Sequence, residues 1–361
     1  MVETVSLRRL NRTLLERQHL AAPSTAGVEQ VVRDLVAVQA QEPNWAVVGL
    51  CTRVAGLTAA GVGRAVEARG LVRSPLLRGT QHLLAADDYP WLRPTIHPVL
   101  ERLVRSPYYA EQTTGIGADV LVADALAVLG DRTVPRRELG AALAARHPGR
   151  RAAVLAAAVE AHLPVVHDPA TSAWGSWWSR RSIAVTHAPA WLGAPMAAPD
   201  VPRLVRRYLA AFGPAGVMDV QAWSGLTRLR PVLDAMRADL RVLRGPDGAE
   251  LFDLPGATLA DEDAPAPVRF LAAFDNAVLG HRDRARILPE EVRRAVMPGY
   301  SMVHATVLVD GFVAATWELA DGDVVVHPQR PLTRAERDEV LAEGGRAREL
   351  VGLPDGDVVL R

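Results

Sequence analysis

Apolar positions recur at helical spacing through most of the first two-thirds of the chain. Leu7 to Leu20 is the first such stretch, with Leu7, Leu10, Leu14 and Leu15 on one face. Pro23-Ser24-Thr25 breaks the pattern. The run from Val28 to Gln39 predicts a second helix and Asn44 to Ala55 a third. A fourth, Ala59 to Ala68, is capped by Thr58 and closed by Gly70. Two short apolar runs then flank Ser74-Pro75 between Leu71 and Leu84, the pattern of a β-hairpin turning at that dipeptide. Helices followed by a hairpin predict a winged helix, a variant of the helix-turn-helix.

The order recurs twice. Ala118 to Leu129, a stretch opening at Val134-Pro135-Arg136-Arg137-Glu138-Leu139, and Gly149 to His162 predict three helices. Leu163 to His187 follows as a second wing, rich in tryptophan at Trp174, Trp177 and Trp178, which fit a core or an aromatic surface. In the third copy Val201 to Phe212 is a helix, Met218 to Leu226 the turn, and Leu229 to Leu240 the recognition helix. Arg241 to Leu254 forms its wing, turning at Pro246-Asp247-Gly248. From Val268 the period changes to that of strands: Val268 to Phe274, Ser301 to Val309, Phe312 to Leu319 and Val324 to His327. A helix capped by Thr333 and a last strand, Gly356 to Leu360, follow. The expected class is therefore α+β, with three winged-helix modules over 1–115, 116–196 and 197–263 and a β-rich domain over 264–361.

Composition narrows the chemistry. An apolar fraction of 49% in 361 residues is ample for packed cores. No apolar run is long enough to cross a bilayer, and Met1 to Leu10 lacks the apolar core of a signal peptide; a cytoplasmic location is expected. A single cysteine, Cys51, excludes an internal disulfide and a thiolate metal site. The histidines show no metal spacing, and no cofactor is expected. The formal net charge is +0, yet all 41 basic residues are arginine. Arginine is the better donor to phosphate and to guanine edges. Without lysine no side-chain amine can form a Schiff base.

The candidate chemistry lies in Gln39-Ala40-Gln41, just before Glu42-Pro43. The residue before a proline is biased away from the α region, so the second helix is expected to end near Gln41 or Glu42. Residues two apart diverge on a regular helix but converge where it unwinds. Two carboxamides meeting there can orient a water or grip a polar ligand. The same pair also fits two solvated glutamines at a helix end.

Five segments carry a family resemblance: "LVAVQAQEP", "LLRGTQHLL", "RYLAAFGPAGVMDVQAWSGL", "AFDNAVLGHRDRARIL" and "VLVDGFVAATWEL". Together, in this order, they resemble the winged-helix DNA glycosylases of the AlkZ/AlkX type, from Leu7 to Leu360. The resemblance implies three tandem winged helices and a small β domain in a C-shaped body with a concave DNA face. It also implies a Gln-hydrophobic-Gln catalytic signature, which falls on Gln39, Ala40 and Gln41, and excision of bulky alkylated purines or unhooking of interstrand crosslinks. One known role of such enzymes is resistance to a self-made DNA-alkylating natural product; general alkylation repair is another.

The residues fit that chemistry. Glutamines can position water and stabilise a cationic sugar, but they cannot protonate a leaving base. The substrate must then arrive as a cation, as N7-alkylguanine and N3-alkyladenine do. Glu42 is the alternative base. Asn44, Trp45, Arg78, Thr80 and His82 are candidates to line the site, and Arg241, Arg244, Arg282, Arg284 and Arg286 to contact DNA. The expected partner is duplex DNA carrying alkyl adducts, bound by a monomer. A non-enzymatic winged-helix regulator and a toxin-sequestering protein are the competing readings of the same modules.

Overall fold

The first helix, α1 (Leu7–Arg17), begins at Ser6, whose hydroxyl accepts the Arg9 backbone N–H. The architecture is that of a computed structural model, which describes residues 2–169, 183–299, 301–353 and 355–361. Leu10, Leu14 and Leu15 of α1 are buried. Its arginines reach far along the chain. Arg17 grips Asp253 with two bonds of 2.7 and 2.9 Å, and Arg12 pairs with Asp310. The helix is thereby anchored to segments more than two hundred residues away.

The chain then runs three times through one order of elements. The first pass is α2 (Val28–Asp34), β1 (Val38–Gln39), α3 (Pro43–Cys51), α4 (Ala59–Glu67) and a hairpin of β2 (Leu71–Pro75) and β3 (Gln81–Ala85). Helices α5 (Tyr89–Val104) and α6 (Pro107–Thr113) lead on. The second pass is α7 (Ala118–Leu129), β4 (Val134–Pro135), α8 (Arg136–Arg146), α9 (Ala152–His162), β5 (Val165–His167) and β6 (Ala184–His187). After α10 (Ala188–Leu192), the third is α11 (Val201–Phe212), α12 (Val217–Ser224), α13 (Arg230–Ala235), β7 (Arg241–Arg244) and β8 (Glu250–Asp253). In the first two passes the short leading strand pairs antiparallel with the second hairpin strand, giving the orders β1-β3-β2 and β4-β6-β5. In the third, Ala215 occupies the equivalent place and bridges Phe252 on β8.

The remainder is one five-stranded sheet with two short helices and one long one. In chain order it comprises β9 (Arg269–Leu271), α14 (Asn276–Leu279), α15 (Arg293–Val296), β10 (Ala305–Val309), β11 (Phe312–Ala320), β12 (Asp323–Pro328), α16 (Arg334–Leu350) and β13 (Val358–Leu360). The sheet order is β13-β12-β11-β10-β9, parallel only between β12 and β13. Thr333 caps α16 through a reciprocal capping box with Glu336. No single helix among the described residues is long and apolar enough to cross a membrane.

Several expectations change. The second helix stops at Asp34, not near Gln41, because Val36 turns into the left-handed region at φ 69°. Leu35, Val36 and Ala37 are all buried, and a run buried all round carries no period to separate helix from strand. Pro43 opens α3 at its first turn rather than closing α2, with Glu42 as N-cap. Ser74-Pro75 lies inside β2; the hairpin turns through Leu77–Gly79. Val134–Pro135 is a strand, and the Met218 to Leu226 segment contains α12 rather than a bare turn. The third recognition helix shrinks to Arg230–Ala235, followed by a 3₁₀ turn. Helix α5 has no counterpart in the pattern reading, since Pro94 and Pro98 inside it signal breaks. Trp174, Trp177 and Trp178 lie outside the described residues.

The largest core does not respect the three passes. It joins Leu14 and Leu15 of α1, Leu77 and Trp91 of the first region, Tyr208, Phe212 and Trp223 of the third, and Ile287 and Leu308 of the last. The second pass has its own core around Leu121, Leu143, Leu155 and Val185. First pass, third pass and terminal sheet therefore meet as one packed body, and the candidate residues sit at that meeting point.

Candidate active site

Val38 and Ala40 point into the core under α3 and α4. Successive side chains of an extended strand alternate between faces, so Gln39 turns to the opposite face, and Gln41 follows in the bend after β1. The two amides thus lie at the end of a short strand and in the bend after it, not on an unwinding helix. β1 is held against the hairpin by the pairs Val38–Leu83 and Gln39–His82, and Ala40 N–H extends the ladder to Gln81 O at 2.8 Å.

Both amide oxygens are tied. Gln39 Oε1 accepts from Arg78 Nη2 at 2.8 Å, and Gln41 Oε1 accepts from the Gln81 backbone N–H at 3.2 Å. A guanidinium and a backbone N–H only donate, so these partners fix which end of each carboxamide is oxygen. Arg78 sits in the hairpin turn and spends its fork on three oxygens: Gln39 Oε1, Asn276 Oδ1 at 3.2 Å and Trp223 O at 2.6 Å. Asn276 in turn donates from Nδ2 to Ala37 O at 2.8 Å. Gly225 ends α12 at φ +83° against this turn; a Cβ there would lie 3.2 Å from Arg78 N and Cα.

Backbone strain gathers at the same place. Val36, Arg78 and Phe274 adopt φ of 69°, 56° and 60°. Each precedes or carries a member of the Gln39–Arg78–Asn276 set. Such conformations cost roughly 1–3 kcal/mol each and persist only where the surroundings over-determine them. Four of the five segments that carry the family resemblance supply this knot: Gln39, Arg78, Trp223 and Asn276.

The backbone of the pair is gripped from the other side. Arg73 donates to Ala40 O at 2.8 Å and to Gln41 O at 3.2 Å. Its Nη1 meets His167 Nδ1 at 2.8 Å, and His167 Nε2 faces Glu160 at 3.4 Å. Since arginine only donates, Nδ1 is the acceptor and His167 is neutral, with its proton on Nε2 toward Glu160. Burial pushes the His167 pKa down in keeping with this. Arg73 and Arg78 are both lowered to about 10, chiefly by burial, and stay charged at neutral pH.

The other predicted lining residues fall as follows. His82 is fully buried opposite Gln39; Nδ1 meets Thr80 O at 3.0 Å and Nε2 has no partner among the described residues. Burial, and then the Arg78 charge, push its pKa to about 3. Glu42 Oε1 accepts from Asn44 N and Nδ2 at 3.3 and 3.0 Å, so this carboxylate caps α3. Asn44 is buried, whereas Trp45 packs edge-on against Trp317 at 5.3 Å and borders a narrow pocket with Gln39, Arg53 and Asp275. Thr80 is half-buried and donates to Leu77 O at 3.3 Å.

The arginines predicted to contact DNA divide. Arg244 and Arg282 are exposed. Arg284 is half-buried, its pKa lowered by burial and by the nearby Arg293 and Arg282 charges. Arg241 is paired with Glu3 and bonded to Ala257 O. Arg286 is a correction: it is buried and donates to Pro214 O at 2.9 Å, which leaves it no reach to a phosphate. Asn276 is the member that sequence reasoning did not single out, although it lies in one of the five segments that carry the resemblance. Among the described residues no cluster could hold a metal ion.

Residues 32–350 match the family described as DNA glycosylase AlkZ-like. The chain is 26% identical to an interstrand DNA cross-link repair glycosylase of Streptomyces sahachiroi, over 94% of this chain and 96% of that protein. Its fold superposes on the Streptomyces sahachiroi DNA glycosylase AlkZ with a TM-score of 0.82, at 24% identity, covering 99% of this chain and all of the other. With the α+β body, the five matching segments and a family match spanning most of its length, the chain belongs to the AlkZ-like DNA glycosylases.

Proposed function

We propose that this glycosylase hydrolyses the N-glycosidic bond of cationic, bulky N7-alkylguanine or N3-alkyladenine adducts in duplex DNA, with Gln39 and Gln41 as the catalytic pair. The three repeated helix–hairpin units are read as tandem winged helices that carry the duplex as a monomer. One observation carries the reading. Gln39, Gln41 and the His82 imidazole opposite Gln39, whose pKa is pushed to about 3, cannot hand a proton to a leaving base at neutral pH. A neutral purine would leave as an anion; an N7- or N3-alkylated purine leaves neutral. The pair then has two tasks: to orient the attacking water and to face the oxocarbenium-like sugar with oxygen dipoles. The similarity to a crosslink-repair glycosylase along nearly the whole chain supports unhooking of interstrand crosslinks as a further activity, and resistance to a DNA-alkylating natural product as a role. Lacking lysine, the enzyme leaves an abasic strand uncut, and borohydride traps no covalent adduct.

The test is single-turnover release of N7-methylguanine and of a bulky intercalator adduct from duplex DNA. Gln39→Ala and Gln41→Ala should each slow release on the order of a hundredfold with DNA affinity unchanged. The double variant should be little worse than the slower single, because both act on one water. Release at the parent rate by both single variants would refute the assignment and make Glu42 the first candidate to replace them.

A further inference from the structure

The orientation of the Gln39 carboxamide depends on side chains distant in sequence. Its oxygen is held by Arg78, and Arg78 is shared with Asn276, 198 positions further on. Asn276 closes the loop by donating to Ala37 O, two residues before Gln39. One side chain thus fixes both the backbone leading into Gln39 and the guanidinium that orients its amide. Asn276 is itself placed by Asp275, which caps α14 through Ala277 N–H at 2.8 Å. Asp275 also takes two bonds of 2.9 and 2.7 Å from Arg53, in the turn that follows α3. Arg53 and Asp275 are almost fully buried.

We propose that Asn276 and Arg78 are positioning residues that lock the Gln39 carboxamide in one of its two flip states, with its oxygen on Arg78. This deepens the proposed function and rests on its assignment of Gln39. An unrestrained amide presents either end, since its oxygen and nitrogen edges differ little in shape. Hydrolysis needs one end: a flipped amide would set its N–H groups against the Arg78 guanidinium and reverse the dipole that the pair presents to the water and the sugar. Positioning of this kind can contribute on the order of a hundredfold when a reacting geometry shifts by about 1 Å. The three left-handed residues at Val36, Arg78 and Phe274 fit a site whose geometry is held by its surroundings and not by local preference. Lysine cannot replace Arg78. A single ammonium cannot reach Gln39, Asn276 and Trp223 O with the fixed fork of a guanidinium.

The experiment compares Asn276→Ala, Arg78→Lys, Gln39→Ala and the pairwise combinations with Gln39→Ala, measuring single-turnover N7-methylguanine release, DNA affinity and thermal unfolding. The expected result is a loss of rate on the order of ten- to a hundredfold in each positioning variant, with DNA affinity unchanged. In the Gln39→Ala background the same substitutions should have almost no further effect, because there is no amide left to orient. A general structural role would instead slow the Gln39→Ala enzyme by the same factor again, and that additivity would overturn the proposal. Parent-rate release by Asn276→Ala and Arg78→Lys, beside a slow Gln39→Ala, would overturn it while sparing the catalytic assignment. Parent-rate release by Gln39→Ala would remove both. If Asn276→Ala fails to fold, the Arg78→Lys cycle gives the same decision.

Discussion

Acidification offers a quantitative check on the environment facing Gln39. His82 is fully buried on β3, and its pKa is pushed from 6.5 to about 3 by burial and by the Arg78 charge. The folded value lies below the unfolded one, so on acidification the unfolded chain takes up the proton first. The contribution to stability is complete above about pH 6.5 and is lost steadily down to about pH 3, at about 1.4 kcal/mol per pH unit. Between about pH 7.5 and pH 5 this one residue should therefore remove about 2 kcal/mol of folding stability. His82→Asn keeps a donor near the Nδ1 position for Thr80 O and has nothing to titrate. Urea unfolding of parent and variant at the two pH values isolates the effect. His167 and His281, whose pKa values are also lowered by burial, are present in both proteins and cancel. The parent should lose about 2 kcal/mol more than the variant over this range. Equal losses would mean that His82 is not held neutral by burial, and would reopen the possibility that it protonates a leaving base.

Two further outcomes follow from the geometry. Arg53→Met leaves the buried Asp275 carboxylate without its partner and should cost on the order of 3–5 kcal/mol in urea unfolding; a loss under about 1 kcal/mol would contradict the role assigned to the pair. Arg244→Ala should lower the salt dependence of DNA binding by about one phosphate contact, whereas Arg286→Ala should lower the melting temperature, and the reverse pattern would exchange their roles.

The sequence alone determined the modular layout to a useful degree. Amphipathic periodicity located α1, α7 and α11, and Pro246-Asp247-Gly248 marked a hairpin turn that the structure contains. These features are local: a 3.6-residue period and a left-handed turn are written in a few consecutive residues. The five matching segments named the family for the same reason, as short strings in order. Gln39 and Gln41 were legible as a pair of amides, but the strand that carries Gln39 was not. Leu35 to Ala37 are buried on all sides, and a strand set by pairing with His82 and Leu83, some forty residues later, leaves no local trace. Nor could burial be read for isolated polar residues. Arg286 and Arg282 stand four apart in one arginine-rich loop, yet one donates to Pro214 O in the interior and the other meets solvent. Asn276 gains its importance from contacts with Ala37 and Arg78, both about two hundred residues away. Only the shared core of the first and third repeats and the terminal sheet brings those segments together, and with them the orientation of the Gln39 amide.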